Sequence, residues 1–263
     1  MDPKGKIALI TGAATGIGLA YVKELLRNGL QKVSICDLDD SRGQITLKEI
    51  ADEFGKDKAI FIKTDVTKPD ELTAAFKKTI ETFKGLDIVI NNAGILDDAR
   101  WELEIAINVT AVARGTMLAF EHMGKDKGGK GGVVVNIASI LGLQSMAGCP
   151  VYVATKHAVI GLSRSFGMPF HFERTGVIVL TMCPGVTDTP LISEAGHRQI
   201  TSDLGEECAR ELGALPKQKP ENVAISMVHI IRHGRNGSVW VSEGGKPVYE
   251  VQIPDRENMK VSK

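Results

Sequence analysis

A single α/β domain built on a doubly wound parallel sheet of about seven strands is what this 263-residue chain predicts. Three observations carry the expectation. Short apolar runs alternate with segments of helical period along nearly the whole length, the pattern of successive βαβ units. The first apolar run opens directly into a glycine-rich turn and then a helix. No repeat, low-complexity stretch or linker divides the chain.

Lys6-Ile-Ala-Leu-Ile10 reads as a buried strand, because a parallel strand covered on both faces needs no polar alternation. It runs into Thr11-Gly12-Ala-Ala-Thr-Gly16-Ile17-Gly18, after which Leu19, Val22, Leu25 and Leu26 recur with helical period. Glycines at such a turn let main-chain N–H groups approach a pyrophosphate at the positive end of the helix. The spacing is GxxxGxG rather than GxGxxG, so the turn alone fits a tight βα connection equally well. Lys32 to Cys36 is the second strand, and Asp37 closes it. A carboxylate there accepts hydrogen bonds from the adenosine ribose and repels a 2′-phosphate; the alternative is a cap on the next helix. Neither Thr15 nor Leu38 offers that phosphate a basic group, and the nearest downstream arginine, Arg42, falls on the following helix. NAD is therefore expected over NADP.

Helical period over 41–54, a strand at 58–63, a helix at 69–84 and a strand at 86–90 complete the first half. A long helix near 102–123 carries Leu103, Ile107, Met117, Leu118 and Phe120, and Lys125 to Gly132 reads as a solvated loop. The strand 133–138 delivers Ser139 at its carboxyl end, where open parallel sheets place their ligands. The next helix starts near 151 and runs until Pro169 kinks or ends it. A strand at 177–183, a helix at about 220–232 and a strand near 238–242 follow. The polar segment 187–216 breaks the alternation and reads as a lid over substrate. Its Leu191, Ile192, Leu204, Leu212 and Leu215 either line an apolar pocket or staple the lid to the core. Residues 1–245 form the domain, and 246–263 form a tail that packs on a neighbour or frays.

The chemistry concentrates in Tyr152-Val-Ala-Thr-Lys156. Residues four apart on a helix share a face. An ammonium ~5 Å from a phenolate stabilises it by roughly 3 kcal/mol at an effective dielectric of ~20, moving a phenol from about 10 to the high sevens. Burial opposes that shift. A tyrosine base beside the Ser139 hydroxyl points to proton removal from an alcohol.

With these residues in view, the chain resembles the short-chain dehydrogenase/reductase family over about residues 5 to 245. Thr11 to Gly18 matches its TGxxxGxG turn. Asp65-Val66 matches the pair that contacts adenine, and Asn91-Asn-Ala93-Gly94 the NNAG that supports the cofactor. Asn108, Ser139, Tyr152 and Lys156 match the catalytic tetrad, and Pro184-Gly185-Val186 with Thr189 the PGxxxT that holds the nicotinamide amide. The resemblance implies a Rossmann-type fold, proton acceptance by Tyr152, and a Lys156 that lowers the tyrosine pKa and bonds the nicotinamide ribose. Ser139 would hold the substrate oxygen, and Asn108 a water linking the lysine to solvent. Within the family, Trp101, Gly128 to Gly132 and Pro150 to Lys156 look like 15-hydroxyprostaglandin dehydrogenases. Asn236-Gly-Ser-Val-Trp240 looks like insect-type alcohol dehydrogenases. Where the former carry a substrate-facing glutamine this chain has Cys149, a poor hydrogen-bonding group, so a more apolar alcohol is expected. Pairing of the two central helices as a homodimer or homotetramer is also implied.

Composition agrees. The chain is 43% hydrophobic and 24% charged, with 32 basic residues against 32 acidic ones, which leaves no nucleic-acid footprint. No signal peptide and no apolar run of about eighteen residues is evident, so neither secretion nor membrane insertion is expected. Cys36, Cys149, Cys183 and Cys208 show no metal-ligand spacing and read as reduced thiols of a cytoplasmic protein. The histidines form no ligand pattern, so no metal is expected. An NAD-dependent oxidation of a secondary, lipid- or steroid-like alcohol leads. An NADPH-dependent carbonyl reductase and a non-catalytic NAD-binding protein are the alternatives.

Overall fold

The computed structural model describes residues 1–260. Eight strands form one sheet: β1 (Ile7–Thr11), β2 (Lys32–Asp37), β3 (Ala59–Lys63), β4 (Ile88–Asn91), β5 (Gly132–Ile137), β6 (Val177–Pro184), β7 (Val239–Ser242) and β8 (Tyr249–Val251). Their order is β3-β2-β1-β4-β5-β6-β7-β8. The first seven are parallel, in registers such as Thr11 with Cys36, Ile10 with Ile90 and Asn91 with Asn136. The chain winds outward in one direction to β3 and then returns past β1 to β4. The crevice at the carboxyl ends of β1 and β4 is thus the topological switch point, where such sheets bind ligands.

Helices cover both faces. On one lie α1 (Gly16–Arg27), α2 (Asp40–Phe54) and, far along the chain, α10 (Pro220–His233), packing Tyr21, Leu25, Ile50, Met227 and Ile230 against Ile10, Ile35 and Ile90. On the other, α3 (Pro69–Phe83) and α5 (Val112–Met123) pack Leu72, Phe76 and Ala119 against Leu9, Val89 and Val134. Strand residues alternate between these two layers, which is why β1, β4 and β5 tolerate no polar face. A third cluster joins α6 (Pro150–Phe166), β6 and β7 to the segment after Pro184.

Four features differ from the expectation. The long central helix is composite: a 3-10 turn at Asp98–Arg100, α4 (Trp101–Ile105), a π-helical stretch at Ala106–Ala111, and only then α5. The Tyr152 helix stops at Phe166, and Pro169 opens a new short helix, α7 (Pro169–Thr175), where its missing N–H costs nothing. The expected lid holds α8 (Pro190–Ser193), a 3-10 turn and α9 (Ser202–Gly213). Finally, the tail is not separate from the domain at residue 245. Tyr249–Val251 pairs antiparallel with β7 as an eighth strand, and three residues are too few to carry a legible alternation.

The helical run Asp98–Met123, with mean hydropathy 1.3 over its most apolar window, has the length and composition to cross a bilayer, unlike anything evident from the sequence. It carries the fully buried Glu104 and Asn108, and α4 and the π stretch pack against α6, so one face of it belongs to the core while Trp101, Leu103, Ile105 and Met117 stay exposed.

Candidate active site

The crevice is a cavity of about 370 Å³ running from Asp37 and Leu38, past the glycine turn, to Ser139, Tyr152 and Lys156. Its first wall is main chain. Gly12 sits at φ +61°, and a Cβ there would lie 2.8 Å from Ala93 Cα; a Cβ on Gly18 would lie 2.2 Å from the Gly12 carbonyl oxygen. These contacts bring the start of α1 hard against the end of β1. Thr15 is the N-cap of α1 but makes no side-chain capping bond, so the first-turn N–H groups stay available to an anion. Asp37 braces the turn from the side: its Oδ2 accepts from Ala14 N at 2.9 Å, and Oδ1 from Asp39 N at 3.3 Å. Asp39, not Asp37, caps α2. That settles the alternative left open by the sequence. Arg42 pairs with Glu49 at 3.7 Å, leaving its guanidinium committed to its own helix.

The second wall holds Ser139, Tyr152 and Lys156. Ser139 follows β5 and is N-cap of a 3-10 turn, its Oγ accepting from Leu141 N at 3.1 Å, and it lines the same cavity as the Tyr152 phenol. Lys156, one turn along α6, donates Nζ to the Ile137 carbonyl at 3.1 Å and lies 5.4 Å from the Tyr152 ring centre. Both side chains are buried. Burial pushes the tyrosine up, beyond its ordinary range, with the serine hydroxyl acting only partly against it. The lysine is pushed down to about 8 by burial. The expected fall of the phenol to the high sevens is therefore reversed in the free protein. The ammonium shares the dry environment and is aimed at a carbonyl, so desolvation outweighs attraction.

Asn108 sits in the π-helical stretch, a local widening often found at functional sites. Its amide bonds protein on every side: Oδ1 accepts from Ile95 N at 2.9 Å, and Nδ2 donates to Ile95 O at 2.8 Å and Thr155 Oγ1 at 3.1 Å. It ties the segment after β4 to α6. A Cβ on Gly94 would meet both Asn108 Oδ1 (3.3 Å) and Lys156 Nζ (3.5 Å), so the bare glycine keeps open the space they share.

Most residues expected at the cofactor border the cavity: Gly12, Thr15 to Gly18, Asp37, Leu38, Asp65, Val66, Ala93, Gly94, Pro184 to Val186 and Thr189. Two expectations are corrected. Asn91 does not reach it; its Nδ2 donates inward to Asn136 Oδ1 at 2.8 Å and Thr116 Oγ1 at 3.3 Å, and Asn92 takes its place at the wall. Cys149 is wholly buried outside the lining, its Sγ 3.5 Å from Met146 Sδ and in contact with the Cys208 thiol of α9. It does not border the cavity; it packs the start of α6 against α9. Of the five lid residues, Leu191, Ile192, Leu212 and Leu215 line the cavity and Leu204 does not. Thr64, Leu96 and Leu141 line it too and were not foreseen; they follow β3, β4 and Ser139, and their place at strand ends was the available signal.

Two buried carboxyls behind the tetrad also carry no signal in the sequence motifs. Asp98 accepts from Val151 N at 2.8 Å and Tyr152 N at 2.9 Å, capping α6 from another element. Glu104 Oε1 accepts from Asp97 N at 2.9 Å.

The free N–H groups of α1, the braced Asp37 and the open space beside Gly94 and Lys156 together fit a dinucleotide laid along the cavity. The sequence profile described as short chain dehydrogenase matches residues 6–200. A 15-hydroxyprostaglandin dehydrogenase [NAD(+)] of Rattus norvegicus is 40% identical over 256 residues, covering 95% of each chain. Alcohol dehydrogenase 1 of Ceratitis capitata is 36% identical over 245 residues, covering 93% of this chain and 94% of its own. The crystal structure of levodione reductase superposes with a TM-score of 0.79 at 24% identity, over 92% of this chain and 97% of that one, a likeness of fold.

Proposed function

The chain belongs to the short-chain dehydrogenase family and is an NAD-dependent oxidoreductase of alcohols; from that premise we propose that it oxidises an apolar secondary alcohol to the ketone, with Tyr152 as proton acceptor. The observation that carries this reading is the meeting of Ser139, Tyr152 and Lys156 at one end of a single cavity whose other end is bordered by Asp37. When bound, NAD supplies the hydride acceptor.

The residues divide the remaining work. Ser139 Oγ, on the same cavity wall as the phenol, holds the substrate oxygen beside it. Tyr152 Oη takes the hydroxyl proton as general base. Lys156 carries the compensating positive charge, and the space it shares with Asn108 Oδ1 above Gly94 suits a proton path outward. Because burial holds the free phenol protonated, alcohol oxidation gains as pH rises from neutral, while ketone reduction is favoured at lower pH.

The apolar body of the substrate is argued from Leu96, Leu141, Leu191, Ile192, Leu212 and Leu215, which surround the Tyr152 end. The relatives named for a hydroxyprostaglandin and for alcohols act on hydroxyl-bearing carbon, in keeping with this assignment. The segment 187–216 is assigned as the lid. A homodimer or homotetramer is supported by exposed Trp101, Leu103, Ile105 and Met117 along the composite helix and Phe170 and Phe172 beyond α6. A cytoplasmic location is supported by four buried free thiols. The test is a panel of secondary alcohols of graded chain length with NAD, read as NADH absorbance. Turnover confined to short, polar alcohols removes the apolar assignment, and no turnover on any removes the enzyme reading.

A further inference from the structure

We propose that Glu104 is a positioning residue that keeps its proton and donates it to Asp98, so that two buried carboxyls hold the tyrosine helix by its N-terminus with one negative charge between them. Both side chains are fully buried, and Glu104 Oε1 is held at 2.9 Å by the amide of Asp97, the residue next to Asp98 in the chain. Two carboxylates side by side in a dry interior repel each other, so one keeps its proton well above the ordinary carboxyl range.

The donor geometry decides which. Asp98 receives two main-chain N–H groups, from Val151 and Tyr152, which are unpaired first-turn donors of α6 and favour a carboxylate through the helix dipole. Glu104 receives one, on Oε1, while Oε2 is buried with no donor aimed at it. A hydroxyl at Oε2 removes that deficit by donating to Asp98. The groups facing the pair are Asp97, already bonded to Arg100 on the turn before α4, Cys149 at the N-cap of α6, Tyr152 and Lys156 on α6, and Cys208 on α9. Burial and the neighbouring Asp98 raise the Glu104 carboxyl to about 8, the Lys156 ammonium opposing them.

The consequence for the site rests on the function proposed above. An ionised Glu104 drives the Tyr152 phenol further up, against formation of the base, whereas a neutral one spares it. The same hydrogen bond keeps Asp98 on the Tyr152 amide and so fixes where the phenol stands. The pair lies behind the tetrad and touches neither ligand.

Difference infrared spectra of the full-length wild type and Glu104→Gln, at pH 6.5 and 9.5, test the proton directly. A protonated-carboxyl stretch present at the lower pH, lost at the higher and missing from the variant is the expected result. Its absence at both values overturns the proposal. Kinetics test the positioning. Glu104→Leu loses about tenfold or more in kcat, whereas Glu104→Gln, which keeps a donor toward Asp98 and an acceptor for Asp97 N, stays within about threefold of wild type. Both bind NAD as wild type does. Equal turnover in the two variants overturns the proposal. Where the Glu104→Leu variant misfolds, the infrared band and the Glu104→Gln variant still decide. Wild-type protein that shows the band but turns over no alcohol refutes the enzyme reading and leaves the acid pair standing.

Discussion

At the Asp37 end of the cavity the wall is main chain, held by glycine contacts and one partly exposed carboxylate; at the Tyr152 end it is made of side chains, most of them buried. The first end recognises a ligand by shape and by amides that carry no titratable charge. In the proposed reaction the second works by the charge states of Tyr152, Lys156 and Glu104, each set chiefly by how little water reaches it. Damage at the first end should therefore appear as cofactor affinity, and damage at the second as turnover and pH dependence.

The largest expected effect separates the two ends outright. Tyr152→Phe removes the proposed proton acceptor and should lower kcat by at least about a hundredfold, the low end for a positioned acid–base group. NAD affinity, measured by calorimetry, should stay within about twofold. A parallel loss of both breaks the division.

Lys156→Met addresses the cost of burying a cation. The folded pKa, about 8, lies below the unfolded 10.5, so the unfolded chain binds more protons between those values and stability rises with pH there. Below pH 8 the full cost of the ammonium is present. The variant should accordingly be more stable than wild type at pH 7, by about 1–2 kcal/mol once the stranded Ile137 carbonyl is counted, and the gap should close toward pH 10. Urea midpoints at pH 7 and 9.5 measure it. A variant less stable at both values contradicts the assignment of Lys156 as a strained cation.

At the other end, Asp37→Asn keeps an acceptor for Ala14 N but weakens the carboxylate's hold on ribose. It should raise the NAD dissociation constant about fivefold, leave kcat unchanged, and narrow the preference over NADP. The smallest effect belongs to α9 in the proposed lid: Leu212→Ala should raise KM for a long-chain alcohol about threefold and leave that for isopropanol alone.

The same contrast explains what the sequence disclosed. Seven strands announced themselves because parallel strands covered on both faces are continuous apolar runs, and the glycine turn because its spacing is its function. Asn91 was misplaced next to Asn92 because adjacent residues at a strand end face opposite sides, and nothing in NNAG says which side meets the cavity. The Tyr152 to Lys156 spacing was legible, but its electrostatic outcome was not, since desolvation is a property of everything packed around the pair. Glu104 belongs to no motif, and nothing in the apolar pattern of the helix around it marks it as buried. Its position four residues before Asn108, on the same face, was the overlooked signal. Cys149 was assigned by analogy to a substrate contact, whereas contact with Cys208 could only come from the path of α9.

The short antiparallel strand β8 has a consequence for handling the protein. Val239–Ser242 is an apolar strand whose outer amides are satisfied only by Tyr249–Val251. The guard itself is brief and bears a charge, with Glu250 paired to Arg235, features that discourage further strand addition. A chain shortened at Gly245 would keep its pocket and expose a sticky ribbon, so preparations trimmed by proteases in storage should cloud and precipitate before they lose their shape.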